Sequence, residues 1–171
     1  MSACDVLFSS FYGSTRQYAE ALAHRLGVTA RELEGAGALD KPTIVLAPIH
    51  GPASAGVSYL RHQTKEALQV HPVALVTVGM SLDEVAVEKD FAAKLLGDRA
   101  SCVTRFYLPG RLNYSELSTA HSATMRGVIS ALKLKPRKSD NDRMMIDTYG
   151  KDVDRVDVEK LDPIVEWARA L

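Results

Sequence analysis

Three aliphatic hydroxyl side chains, Ser10, Ser14 and Thr15, and one glycine fall within residues 10–15, Ser10-Phe11-Tyr12-Gly13-Ser14-Thr15. They separate an apolar run at 4–9 from a helical pattern in which Thr15, Tyr18, Ala19, Leu22 and Leu26 recur at three- and four-residue steps and Gly27 marks the stop. A helix start presents unpaired backbone N–H groups and a partial positive charge, and both suit a phosphate. The hydroxyls add donors, and Gly13 lets the backbone approach a ligand closely. A plainer reading of the same residues is a helix cap. Ser14 with Gln17 three residues later fits a capping box, and on that reading the loop binds nothing. Two commoner nucleotide loops are absent. Gly-x-Gly-x-x-Gly does not occur here, which disfavours an NAD site, and Gly-x-x-x-x-Gly-Lys-Ser/Thr occurs nowhere, which disfavours a P-loop nucleotidase.

The other reactive residue types are scattered. His24, His62 and His121 lie in predicted helices and His71 in a turn before Pro72; no pair has metal-ligand spacing on a common face, so no metal is expected. Ser54, in Gly51-Pro52-Ala53-Ser54-Ala55-Gly56, misses the Gly-x-Ser-x-Gly spacing of a hydrolase nucleophile by one residue. No catalytic residue is assigned. The two cysteines, 98 positions apart, form neither a disulfide scaffold nor a zinc pattern.

A loop of this kind needs a scaffold, and the chain alternates strand and helix signals. Strands are predicted at 4–9, 28–33, 42–47, 72–78 and 102–108. Helices are predicted after residue 14, along the stripe Val57, Leu60, Thr64, Ala67 and Leu68, and from a second capping box at Ser81 and Glu84 to about Leu96. That alternation argues for a parallel sheet covered on both faces. After the fifth strand the rhythm breaks. An amphipathic stretch carries Leu117, His121, Met125, Val128 and Leu132; a charged linker spans 135–143 and an irregular piece 144–154. A closing helix carries Leu161, Ile164, Val165, Ala168 and Leu171, with Pro163 at its start. The expectation is one domain, 1–171, with an insertion over approximately 109–156.

Composition bounds the function. The 171 residues carry 21 Lys+Arg against 21 Asp+Glu, with 46% hydrophobic and 25% charged residues, as in ordinary soluble globular proteins. The balance is also local: 12 of each sign fall in 1–132 and 9 of each in 133–171. Without a basic surplus, no nucleic-acid partner is expected. No apolar run approaches the roughly 18–20 residues of a membrane span, so no transmembrane segment is expected. Residues 1–5 lack the pattern of a signal peptide, which makes the cytoplasm the default location. The oligomeric state is not legible.

Residues 10–15 after a first strand resemble the phosphate loop of flavodoxins, Ser/Thr-x-Thr-Gly-x-Thr, with Tyr12 at the third position. The chain is similar to the broader flavodoxin-domain family that includes the quinone-linked protoporphyrinogen dehydrogenases. The segments Phe106-Tyr107-Leu108-Pro109-Gly110-Arg111-Leu112-Asn113-Tyr114 and Tyr149-Gly150-Lys151-Asp152-Val153-Asp154 also resemble that branch, as does the long insertion before the last helix. The resemblance implies an α/β, flavodoxin-like three-layer sandwich. Its five-stranded parallel sheet would have order 2-1-3-4-5, with FMN at the carboxyl ends of the strands, where strand order reverses. Three loops would meet the cofactor. Ser10, Phe11, Tyr12, Gly13, Ser14 and Thr15 would hold the phosphate. Pro48, Ile49, His50 and Gly51, with Gly79, Met80 and Ser81, would flank the flavin ring, Gly51 or Gly79 offering backbone near N5. Where flavodoxins usually stack aromatic side chains on the ring, this chain offers His50 and Met80. In that sheet order Cys4 and Cys102 are three strand spacings apart, on the order of 14 Å, so both are expected to be free and mostly buried.

The implied function is an FMN-binding redox protein passing electrons between a donor and an acceptor, either a redox partner protein or a small molecule. One alternative is an oxidoreductase similar to the protoporphyrinogen dehydrogenases, using FMN and a quinone, with Arg105 or Arg111 available for substrate carboxylates. Another is a non-redox binding or regulatory module. Ordinary flavodoxins are strongly acidic, whereas zero net charge gives little steering of a basic partner. The mixed charges of 133–154 read either as a solvated surface or as a docking lip.

Overall fold

The apolar runs become strands. In the computed structural model, which describes residues 4–49 and 53–171, β1 (Asp5–Phe8), β2 (Ala30–Glu32), β3 (Thr43–Pro48), β4 (Val73–Gly79) and β5 (Val103–Pro109) form one parallel sheet. The strand order is β2-β1-β3-β4-β5, the order the flavodoxin resemblance implies. All six residues of β3 are buried, and so is β4 up to Gly79, which is why both strands read as near-continuous apolar segments. One row of paired residues, Phe8, Leu46, Val76 and Phe106, crosses the sheet. β1 ends at that row, while β3, β4 and β5 run two or three residues further. The carboxyl ends thus form a shelf that steps down at β1, where the order reverses.

Helices cover both faces. α1 (Ser14–Leu26), α8 (Asp162–Arg169) and the turn Val158–Leu161 leading into it bury Tyr18, Leu22, Leu161 and Ile164 against Val6, Phe8, Ile44 and Leu46. On the other face lie α2 (Ala55–His62), α3 (Lys65–Val70) and, beyond α4 (Asp83–Lys89), α5 (Phe91–Leu96). They pack Val57, Leu60, Leu68 and Leu96 on Leu7, Val45 and Leu75. The alternation of Leu7 with Val6 and Phe8, and of Val45 with Ile44 and Leu46, splits the core into these two clusters. Each fully buried leucine contributes about 2 kcal/mol. Gly56 lets α2 sit directly on the sheet: a Cβ there would lie 2.9 Å from both Ala47 Cβ and Leu75 Cδ1.

Local signals were misread in several places. The stripe from Val57 to Leu68 is two helices, because Thr64 Oγ1 accepts a hydrogen bond from Ala67 N (3.1 Å) and starts α3 afresh. The predicted helix from Ser81 to Leu96 breaks at Asp90. This residue has φ 37°, the only positive φ outside glycine among the described residues, and its carboxylate caps Ala93 N at 3.0 Å. Ser81 forms no capping box, since the N-cap position of α4 is Leu82. The charged linker at 135–143 gives way to α7 (Asp140–Asp147), started by a capping box between Ser139 and Asp142. A two-stranded antiparallel ribbon pairs β6 (Arg111–Leu112) with β7 (Val153–Asp154). The amphipathic stretch becomes α6 (Thr119–Leu134), which buries only Ile129. Both cysteines are free. Cys4 lies in the core cluster under α1, whereas Cys102 is only partly buried and packs on the opposite face of the sheet.

Candidate functional site

The chain leaves β1 at Phe8 and turns through residues 9–13 into α1. Gly13 makes the turn with φ 86°, a left-handed conformation in which any side chain is strained. Its N–H is held by Ser10 Oγ at 3.2 Å, and its carbonyl accepts the first helical bond, from Gln17 N at 3.0 Å. The cap is therefore Gly13, and Ser14 is the first helical residue, so the Ser14–Gln17 capping box does not form. No side chain caps α1 and no acidic residue lies in its first turn. Its first N–H groups are left without protein acceptors among the described residues, at the positive end of the helix dipole. Ser14 and Thr15 are 7% and 2% exposed. Left-handed glycine, open N–H groups and two small hydroxyls together form a cradle for an anion. It sits at the step between β1 and β3.

One turn further on, fully buried Tyr18 fixes the base of this cradle. Its hydroxyl donates to Pro109 O (2.7 Å) at the end of β5 and accepts from Asp157 N (2.8 Å). Burial raises the Tyr18 hydroxyl pKa, against the opposing effect of the bond from Asp157 N.

The second loop begins at Pro48, paired with Val78, and Ile49 donates its N–H to Val78 O at 3.1 Å. His50 and Gly51 lie outside the described residues. The third loop is braced from several sides. The Gly79 carbonyl accepts from Gly110 N (2.7 Å), and a Cβ on Gly79 would come within 3.1 Å of Tyr107 Oη, so its bare Cα makes room for that ring. Arg155 Nη1 donates to Met80 O (3.2 Å) and Ser81 O (3.0 Å), and Tyr107 Oη donates to Ser81 O (3.0 Å). Burial pushes the Tyr107 hydroxyl pKa strongly upward and keeps it a donor. Asn141 Oδ1, from α7, accepts Leu82 N at 2.8 Å.

Three residues take places at the site that the sequence did not assign them. His121, read as an ordinary helix residue, reaches from α6 to the first loop. A 2.5 Å hydrogen bond joins its Nδ1 to the Tyr12 hydroxyl, and its ring meets Phe11 edge-on at 5.8 Å. Phe11, His121, Pro48, Val57 and Leu95 wall a groove of about 680 Å³ that adjoins the first loop, within the usual range for small-molecule sites. Ser54 Oγ, also on this groove, is buried with no hydrogen-bond partner among the described residues. Arg111 stands over Gly13: its Nη1 lies 3.8 Å from where a Cβ on that glycine would be. Arg105, in contrast, is occupied within the scaffold by Asp90 and the carbonyls of Ala100 and Val103. No local signal marks Arg111 or His121, because their partners are about a hundred residues away in the chain.

Among the described residues, no group of three or more His, Cys, Asp or Glu is arranged to hold a metal, and no helix is long and apolar enough to cross a membrane. A second groove, of about 510 Å³, lies among Tyr114, Ser122, Arg126, Tyr149 and Asp152, with the two tyrosine rings edge to face at 5.3 Å. No curated protein matches the chain. A family model described as a flavodoxin domain matches residues 6–140, from β1 to the start of α7, and this match with the observed sheet order places the chain in the flavodoxin domain family.

Proposed function

We propose that the chain binds FMN and serves as a redox protein, passing electrons between a donor and an acceptor. The observation that carries this reading is the uncapped start of α1, with Gly13 at φ 86° and the hydroxyls of Ser14 and Thr15 beside it, at the point where strand order reverses. Flavodoxin domains generally bind flavin, and the residues present fit the phosphate of FMN. The first-turn N–H groups and the two hydroxyls would donate to it, and no carboxylate in that turn would repel it. The groove beside Phe11, with its apolar wall and a buried Ser54 hydroxyl that has no hydrogen-bond partner among the described residues, would take the ring, Phe11 and His121 supplying aromatic faces. When bound, FMN supplies the electron-transfer chemistry; the protein's part is to bind, orient and exclude water. Bracing of the third loop by Arg155 and Tyr107 holds its carbonyls in fixed directions.

Titrating FMN into the purified, flavin-free chain tests this directly. Quenching of flavin fluorescence with a dissociation constant at or below about 10 µM is expected, a free energy near −7 kcal/mol. Absence of quenching at millimolar protein leaves the non-redox module.

A narrower reading, an oxidoreductase similar to the protoporphyrinogen dehydrogenases, draws on the second groove. Arg126 has no ion-pair partner there among the described residues, and a guanidinium beside two tyrosine rings suits an aromatic carboxylate. Oxidation of a porphyrinogen with a quinone acceptor, lost on Arg126→Gln, is the result that reading requires.

A further inference from the structure

The cation nearest the cradle does not come from α1. Arg16, in the helix's first turn, is turned to Glu32 on β2 at 2.6 Å. Arg111 comes instead from β6, in the ribbon where it sits directly opposite Asp154. Two of its three guanidinium nitrogens are committed. Nε donates to Asp154 Oδ2 at 2.8 Å, and Nη2 donates to Gln17 Oε1 at 3.0 Å while lying 2.7 Å from the same carboxylate. Those bonds fix the plane of the group. The third nitrogen, Nη1, makes no hydrogen bond among the described residues, and it is the one that faces Gly13 at 3.8 Å from the missing Cβ. The side chain is 24% exposed, so its charge is less screened than that of a free surface arginine. Asp154 balances part of that charge and orients the rest.

We propose that Arg111 Nη1 is a direct ligand of the bound flavin's phosphate, so that the β6–β7 ribbon makes the site selective for the phosphorylated cofactor. This rests on the FMN reading above and adds to it a residue outside the first loop. The chemistry recognised is a phosphate monoester dianion: N–H groups and hydroxyls approach from the helix side, and a charged donor from the ribbon side.

Riboflavin, the same molecule without the phosphate, provides the comparison. Fluorescence titrations of the full-length, flavin-free chain with FMN and with riboflavin give an affinity ratio for each variant. Arg111→Gln is expected to weaken FMN about tenfold and riboflavin less than twofold, with thermal stability measured alongside. Arg111→Lys retains a charge on Asp154 but has a single nitrogen for both partners, so its ratio should fall about threefold. If Arg111→Gln folds and keeps the wild-type ratio, or loses both ligands in parallel, the arginine only supports the ribbon and the proposal is overturned. If Arg111→Gln does not fold, the ratio in Arg111→Lys decides by the same criterion. Wild-type protein that binds neither flavin would instead remove the FMN reading itself, a different outcome from an unchanged ratio.

Discussion

Replacing Tyr18 by phenylalanine removes one oxygen atom and tests the joint beneath the cradle. Tyr18 is fully buried, and its hydroxyl makes two hydrogen bonds, to Pro109 O at 2.7 Å and from Asp157 N at 2.8 Å. Each is worth about 1 kcal/mol net, and removing the hydroxyl leaves the carbonyl and the N–H without these bonds, so the loss should be about 2 kcal/mol. The ring still fills its place, so no cavity term is added. For a chain of this size, a urea slope of about 2 kcal/mol/M turns this into a midpoint lower by about 1 M. The melting temperature should fall by about 4–8 °C. Alkaline pH provides an independent check. Burial raises the hydroxyl pKa in the folded state, whereas the unfolded chain titrates near 10. The Tyr18 contribution is therefore complete below about pH 10 and is lost as pH climbs from there toward the folded value. The gap between wild type and Tyr18→Phe should narrow over that range. A midpoint shift below about 0.2 M at neutral pH would refute the reasoning, because it would mean that water satisfies both partners once the hydroxyl is gone.

Replacing Ser14 and Thr15 together by alanine should weaken FMN at least tenfold and leave the melting temperature within about 2 °C, since neither hydroxyl has a protein partner among the described residues; flavin titration and calorimetry check the two halves. Gly56→Ala should lower stability by about 1–2 kcal/mol in urea melts, because the new methyl meets Ala47 and Leu75 at 2.9 Å and the gain in helix propensity offsets only part of that crowding. Lys135 and Ser139 hold the Asp142 carboxyl at a pKa of about 2, so the start of α7 should be intact above pH 4 and lose protection as pH falls from about 4 to about 2, read by amide exchange at residues 139–143. Asp142→Asn should show that loss at neutral pH.

The central strands β3 and β4 were legible because they are buried on both faces and so lack polar interruptions. The helix divisions at Thr64 and Asp90 were missed although each carries a capping side chain; the apolar stripe runs on across both breaks, and periodicity alone cannot tell a continued helix from a restarted one. The reverse happened at α7, where the Ser139–Asp142 box was present in the sequence but no apolar stripe followed it. In the first loop, both hydroxyl and glycine signals were read, and the geometry chose between them. Gly13 takes the left-handed cap, which moves Ser14 into the helix and frees its hydroxyl. Arg111 was read only as a possible partner of substrate carboxylates and His121 only as a helix residue, since what makes each notable here is a contact with residues brought near only by the closed sheet.

The segment between β5 and α8 joins the rest of the molecule unlike any other part of it. From residue 111 to 157 its only buried apolar side chain is Ile129, with Val156 packed half-buried against the core. Most of its attachments are polar, and several end on or beside the loops of the proposed site: His121 on Tyr12, Arg111 on Gln17 at the start of α1, Asn141 on Leu82, and Arg155 on Met80 and Ser81. Bonds of this kind contribute about 1 kcal/mol each, and little apolar burial adds to them, so the segment is held less firmly than the sheet it covers. Several charges of this region are paired: Lys135–Asp142 and Arg111–Asp154 within the segment, and Arg155–Asp83 from the segment to α4. Zero net charge therefore coexists with a segment rich in charges of both signs, some of them paired with each other, which gives little net field toward a partner. If an anion on the cradle engages Arg111, linkage works in both directions: occupancy of the cradle tightens the ribbon, and whatever seats the ribbon tightens the cradle by the same factor.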